Sequence, residues 1–229
     1  MARTLNHDFF KTWSPEMAYV LGYFAADGSM VKNTRGGFYI EFTSTDRVIL
    51  EQVCRVSNSP HKISERPIRN EAWKQQYRIQ IGSREWFSDL AVLGFTVRKS
   101  KTLALPCIPN LYRGDFVRGY FDGDGCVYFK ALKFADRKRL RWILMCTFTS
   151  GSRRFLESIW SLLKEEGVLG GSIRIKKRGF DLALSHKDSL ALYRFMYNTA
   201  QVPDLCLPRK RQKLEQAIQV LGLEKQMRL

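Results

Sequence analysis

The chain repeats itself. GYFAADG at 22–28 returns as GYFDGDG at 119–125, with five of the seven residues identical in the same register. A repeat of this kind restricts the fold to two copies of one unit. Three further landmarks recur in the same order. EFTSTDRVILEQV (41–53) answers TFTSGSRRFLESI (147–159), YRIQIGSREW (77–86) answers FDLALSHKDS (180–189), and VRKSKTLALP (97–106) answers PRKRQKLEQA (208–217). In the second landmark, Phe-Thr-Ser closes a strand-like alternation and opens a helical pattern. Ser44 and Ser150 have the residue type of N-caps for those helices. The third is an alternating strand that runs through Ser into a helix, and a further strand candidate, HKISERPIR or GSIRIKKR, precedes it. Each unit reads helix, hairpin, helix, hairpin, helix, an α+β arrangement. The expected bounds are 1–106 and 113–229, joined by a short Pro-containing link at 107–112.

Both copies of the first landmark end in an acid. With helices expected over about 15–27 and 113–124, Asp27 and Asp124 fall at helix C-termini, where the macrodipole and the last unpaired carbonyls are already negative. That placement costs a few tenths to ~1 kcal/mol unless a cation joins it. Asp-Gly is also a common turn dipeptide, but five identities at matched spacing point to a shared unit rather than two accidental helix exits.

Charge bounds the partner. Lys and Arg number 38 against 22 acidic residues, a net charge of +16, and 13% aromatic content makes the chain too ordered for a basic tail. Such an excess is the footprint of a polyanion ligand. Residues 1–110 carry 15 basic and 10 acidic side chains, and residues 111–229 carry 23 and 12. The five cysteines are scattered and never paired as CxxC, which fits reduced thiols and argues against disulfides or structural zinc. Three isolated histidines, His7, His61 and His186, offer no histidine metal cluster. No run approaches the ~18 apolar residues that span a membrane, and MARTLNHDFFKTWSPEM lacks the apolar segment of a signal peptide. An intracellular protein is expected, in a bacterial or archaeal cytoplasm or an organelle.

Alternation fixes which way strand side chains point. With Ile40, Phe42, Ile79 and Ile81 inward, Tyr39, Glu41, Gln76, Arg78 and Gln80 face out. In the second copy Arg139, Arg141 and Thr147 share one face, and Trp142, Leu144 and Phe148 the other. Ile173 and Ile175 inward leave Arg174 and Lys176 outward. The same outward reading takes in Lys32, Ser64, Arg66, Tyr128, Lys130 and Asp181. Arg, Lys, Gln, Tyr and Thr suit the base edges and phosphates of a major groove. A cationic sheet face that recurs in both copies calls for a ligand more than for water.

GYFAADG and GYFDGDG look like the core of the LAGLIDADG motif, and the chain resembles a single-chain LAGLIDADG homing endonuclease from about Ser14 to Gln219. The resemblance implies two αββαββα repeats related by a pseudo-twofold axis, with antiparallel sheets forming a DNA-binding saddle. It places Gly22 and Gly119 where the two motif helices pack side by side, since a residue without Cβ lets backbones approach. Tyr23, Phe24, Tyr120 and Phe121 are then core. Asp27 and Asp124, with the backbone oxygens of Ala26 and Gly123, become the ligands of Mg²⁺, or of Mn²⁺ or Ca²⁺ in the same sites. Lys99 and Lys210 match the family's basic residue near each scissile phosphate. Ser44 and Ser150 stand where the family often has a longer polar side chain, and their role stays open. Ala25 stands opposite Asp122, so Asp122 is read as structural. The resemblance implies an intron-encoded nuclease acting as a monomer on long, asymmetric double-stranded DNA. An RNA maturase acting on intron RNA and a catalytically silent DNA-binding protein share the fold and remain alternatives.

Overall fold

The computed structural model of the chain describes residues 4–67, 72, 74–133, 140–199 and 201–222. Its first half runs α1 (Pro15–Asp27), β1 (Gly28–Lys32), β2 (Phe38–Ser44), α2 (Arg47–Val56), β3 (Ser64–Arg66), β4 (Gln76–Gly82) and α3 (Arg84–Val92). The second repeats the order with α4 (Arg113–Asp124), β5 (Gly125–Leu132), β6 (Arg141–Ser150), α5 (Arg153–Glu165), β7 (Ser172–Lys176), β8 (Gly179–Ser185) and α6 (His186–Tyr197), and adds α7 (Pro208–Val220). Each half forms one antiparallel four-stranded sheet, ordered β1-β2-β4-β3 and β5-β6-β8-β7. This is the α+β, two-repeat architecture the sequence implied. Where VRKSKTLALP has only a 3-10 turn at Lys99–Lys101, its counterpart PRKRQKLEQA builds the long helix α7.

Both motif helices are buried on every side over most of their length, from Met17 to Ala25 and from Gly114 to Asp122. Their contact is reciprocal. A Cβ on Gly22 would overlap the carbonyl oxygen of Phe116 and stand 2.9 Å from the Tyr120 nitrogen. A Cβ on Gly119 would overlap the carbonyl oxygen of Tyr19 and stand 3.0 Å from the Tyr23 nitrogen. The motif tyrosines tie the helices to the sheets in matching ways: Tyr23 donates to the Thr43 carbonyl at 3.1 Å, and Tyr120 to the Thr149 carbonyl at 2.7 Å.

Two expectations need correction. The N-caps of the helices after Phe-Thr-Ser fall two residues beyond Ser44 and Ser150, at Asp46 and Ser152. Ser44 and Ser150 instead accept from the Asp46 and Ser152 amides at 3.0 and 3.1 Å, making small side-chain turns that lead into each helix. Ile175 keeps the inward parity of Ile173 but is 79% exposed, near the end of the edge strand β7. Trp142, likewise 40% exposed at its strand's start, stacks on Phe129 with centroids 4.6 Å apart. Among the described residues no helix is long and apolar enough to cross a membrane.

Candidate functional site

α1 and α4 end side by side. A Cβ on Gly123 would clash with the Ala26 Cβ and lie 3.3 Å from Asp27 Oδ2, so the side chain at the end of one helix reaches the backbone at the end of the other. The next glycine exits each helix in extended conformation, and the Gly28 and Gly125 amides cap Phe24 O and Phe121 O.

A cation does meet each helix end, and it is a lysine from the same half. Lys99 Nζ donates to Ala25 O at 2.7 Å and Ala26 O at 3.4 Å. Lys210 Nζ donates to Phe121 O at 2.7 Å, Asp122 O at 2.8 Å and Gly123 O at 3.3 Å. These are carbonyls of each helix's last turn, unpaired within the helix except Phe121 O, and a cation there contributes ~0.3–1 kcal/mol when exposed and more when buried. Both lysines are buried, at 7% and 4% exposure, which removes them from the pool of surface charges that grip a backbone nonspecifically. Burial lowers Lys99 to about 8, against the pull of Asp124 and Asp27, and lowers Lys210 as well.

The half-buried acids are shifted the opposite way. Asp27 rises from 3.8 to about 7, chiefly by burial and then by the nearby Asp124 charge, although Lys210 and Lys99 pull it down. Asp124 is also raised by burial. Two carboxylates this reluctant to ionise lack enough positive charge from the lysines alone. Ala26 O and Gly123 O, at the long limit of their lysine contacts, keep lone pairs available. This is a hard oxygen set, and it fits a divalent cation. Among the described residues no cluster of three or more His, Cys, Asp or Glu side chains could hold a metal, so at the helix ends a cation would rest on two carboxylates and backbone oxygens.

Two small cavities flank the helix ends. One, of about 200 Å³, borders Asp27, Ser44, Asp46, Gln76, Asp122 and Arg209. The other, of about 220 Å³, borders Gly125, Cys126, Arg209, Lys210 and Lys213. Arg209 lies on both. It donates from Nε to Asp46 Oδ1 at 2.9 Å and from Nη2 to Asp46 Oδ2 at 2.7 Å, an ion pair between the halves that lowers Asp46. A larger groove of about 860 Å³, between α2 and residues 59–65, contains neither motif aspartate.

Strand register sorts the remaining candidates. On the first sheet Tyr39, Glu41, Ser64, Arg66, Gln76, Arg78 and Gln80 share the face turned away from the helices. Glu41 there accepts from Arg78 and, at 2.8 Å, from Gln80 Nε2. On the second sheet Tyr128, Lys130, Arg141, Thr147, Arg174, Lys176 and Asp181 do the same. Asp181 accepts from Thr149 Oγ1 at 2.7 Å and pairs with Lys176 at 3.0 Å. The two faces differ at matched positions: Arg78 stands opposite Thr43 where Asp181 stands opposite Thr149. Lys32 is a correction. It shares the parity of the buried Gly28 and Met30, and its ammonium lies 5.3 Å from the Phe38 ring, which packs on Phe87 of α3. Its side chain therefore belongs to the helix side of the sheet. Arg139 lies outside the described residues.

Sequence reasoning missed Arg118. Fully buried in α4, it pairs with Asp115 at 2.7 Å and donates to the carbonyls of Met196, Val202 and Leu205. Asp122, read as structural, accepts from Tyr19 OH at 2.9 Å and from the Leu207 amide at 2.8 Å. α4 carries Arg113, Asp115, Arg118, Asp122 and Asp124 among its twelve residues, so the charge of Arg118 and Asp122 did not single them out.

A LAGLIDADG-like domain model matches residues 14–91 and again 112–194. The chain resembles the LAGLIDADG meganuclease I-AabMI bound to uncleaved DNA, with a TM-score of 0.64 and 14% identity over 93% of this chain and 92% of that one. It also resembles the I-SmaMI LAGLIDADG homing endonuclease bound to cleaved DNA, with a TM-score of 0.62 and 15% identity over 94% and 92%. At these identities the likeness is one of fold. A relative from Methanocaldococcus jannaschii, the DNA-directed RNA polymerase subunit Rpo1C, is 26% identical over 175 residues, which are 75% of this chain but 18% of that protein.

Proposed function

Because the chain belongs to the LAGLIDADG-like domain family, we propose that it is a site-specific double-strand DNA endonuclease that hydrolyses one phosphodiester on each strand of a long asymmetric target. The observation that carries this reading is the abutting of the Asp27 and Asp124 helix ends, each capped by a buried lysine. Asp27, Asp124 and the carbonyls of Ala26 and Gly123 would hold Mg²⁺, or Mn²⁺ or Ca²⁺ in its place. Such a cation supplies charge that activates water, orients a phosphate and stabilises the leaving 3′ oxygen. Lys99 and Lys210 hold fixed positive charge beside the reacting phosphates without needing to move, which favours a more negative transition state. Asp122 keeps a structural part. Double-stranded DNA would lie on the outward sheet faces, where Arg78, Gln80, Gln76, Arg66, Ser64 and Tyr39 reach one half of the target. Arg141, Thr147, Tyr128, Lys130, Arg174 and Lys176 reach the other. Glu41 and Asp181 orient neighbouring cations and can accept from cytosine. The charge difference between Arg78 and Asp181 favours an asymmetric sequence. With both half-centres on one chain, a monomer suffices.

The test is Mg²⁺-dependent cleavage of a randomised duplex library, with the Asp27→Asn variant in parallel. Breaks on both strands at one long sequence, lost in the variant while binding persists, are the expected result. Tight binding with no cut by the unmodified chain would refute the nuclease and turn attention to intron RNA.

A further inference from the structure

The two half-centres are built differently. In the second half, Leu207 is the N-cap of α7, Pro208 follows at the first helical position, and the cap has no side-chain hydrogen bond of its own. What fixes this helix start is α4. The Asp122 carboxylate, only 3% exposed, accepts the Leu207 amide at 2.8 Å, while the Asp122 main-chain oxygen accepts from Lys210 Nζ at the same distance. One residue therefore holds both the origin of α7 and the tip of the lysine three positions on. Arg118 secures the approach through the carbonyls of Met196, Val202 and Leu205. In the first half Ala25 and Leu21 occupy the places of Asp122 and Arg118. Lys99 rides on a 3-10 turn, contacts two carbonyls, and has its ammonium 5.4 Å from the Phe24 ring.

We propose that Asp122 is a positioning residue for Lys210, so that its loss disables the half-centre of the second repeat and spares that of the first. This rests on the endonuclease reading for its consequence, unequal cutting of the two strands, and not for the anchoring itself. Tyr19 gives a control: its hydroxyl donates to the same Asp122 oxygen and, among the described residues, makes no hydrogen bond to α7 itself.

The experiment uses the full chain with two substrates bearing the target selected from the library, a supercoiled plasmid that reports nicking and a linear duplex with each strand end-labelled that reports which strand is cut. Asp122→Ala is expected to slow one strand by about tenfold or more, with nicked circles accumulating. Lys210→Met should slow the same strand, the double variant should be no slower than Lys210→Met, and Tyr19→Phe should keep the parental strand ratio. Equal slowing of both strands, or slowing of the strand that Lys210→Met leaves fast, overturns the proposal. Amide hydrogen exchange decides the anchoring without cleavage. Peptides covering 205–212 should exchange about tenfold faster in Asp122→Ala, with 97–103 unchanged, and unchanged exchange at 205–212 overturns it. If the unmodified chain cuts no DNA, the endonuclease reading falls while exchange still decides whether Asp122 anchors Lys210.

Discussion

Removing the Asp27 charge should stabilise the metal-free protein. Burial and the neighbouring Asp124 lift Asp27 from 3.8 to about 7, and that shift already includes the favourable pull of both lysines. The sign follows from linkage. The folded chain keeps a proton on Asp27 that the unfolded chain releases above 3.8, so stability falls as pH rises from there and the loss is complete above about 7. A shift of this size corresponds to ~4 kcal/mol at ~1.36 kcal/mol per unit. Coupling to Asp124 and partial contact with water reduce what a single substitution returns, to ~1–2 kcal/mol. For a chain of this length each kcal/mol moves the melting temperature by ~2–4 °C. Asp27→Asn should therefore melt several degrees above the parent at pH 8 in chelator. The two should converge near pH 4, where the parent aspartate is protonated. Adding Mg²⁺ should reverse the order, because ligand binding to the folded state stabilises the parent alone. The assay is calorimetry from pH 4 to 8.5 with EDTA or Mg²⁺. A variant no more stable than the parent at pH 8 in EDTA, or a gap that ignores pH, would refute the electrostatic account of the site.

Gly119→Ala should cost ~3 kcal/mol or more, since the methyl meets the Tyr19 carbonyl and only separation of the motif helices relieves the overlap; chemical denaturation measures it, and a loss under ~1 kcal/mol would contradict the packing. Arg118→Met should cost ~3–5 kcal/mol, because Asp115 stays buried without its ion pair, with the same denaturation series as the check. Arg209→Ala should cost ~1 kcal/mol, since the Arg209 side chain is 57% exposed while its partner Asp46 is 22% exposed. If Arg209 meets a phosphate, the salt dependence of DNA binding should also become shallower by about one.

What the sequence made legible was what repeats. The αββαββα order follows from four landmarks in register, and the direction of most strand residues follows from alternation, because both signals are local. Ile175 failed because alternation says which side a residue faces and nothing about whether a helix covers that side. Lys32 failed for a related reason, as the last residue of a short strand, where parity outweighs polarity. The N-caps slipped because Ser44 and Ser150 close turns whose helices need two more residues to begin. Arg118 and the double duty of Asp122 were out of reach, since most of their partners are backbone atoms 78 to 87 residues further on. A carbonyl carries no residue type for a motif to display.

The reciprocal glycine contact has a consequence for ancestry and recombination. Gly22 sits on Phe116 as Gly119 sits on Tyr19, so a rotation by half a turn exchanges the two contacts. A surface that fits its own image is the signature of a symmetric dimer, and a single ancestral half could have formed both contacts by pairing with a second copy of itself. On one chain the outward strands need not match, and Arg78 in one half stands where Asp181 stands in the other, while the seam must still fit both halves. Halves taken from different chains should then be interchangeable to the degree that each keeps this glycine and the backbone it touches.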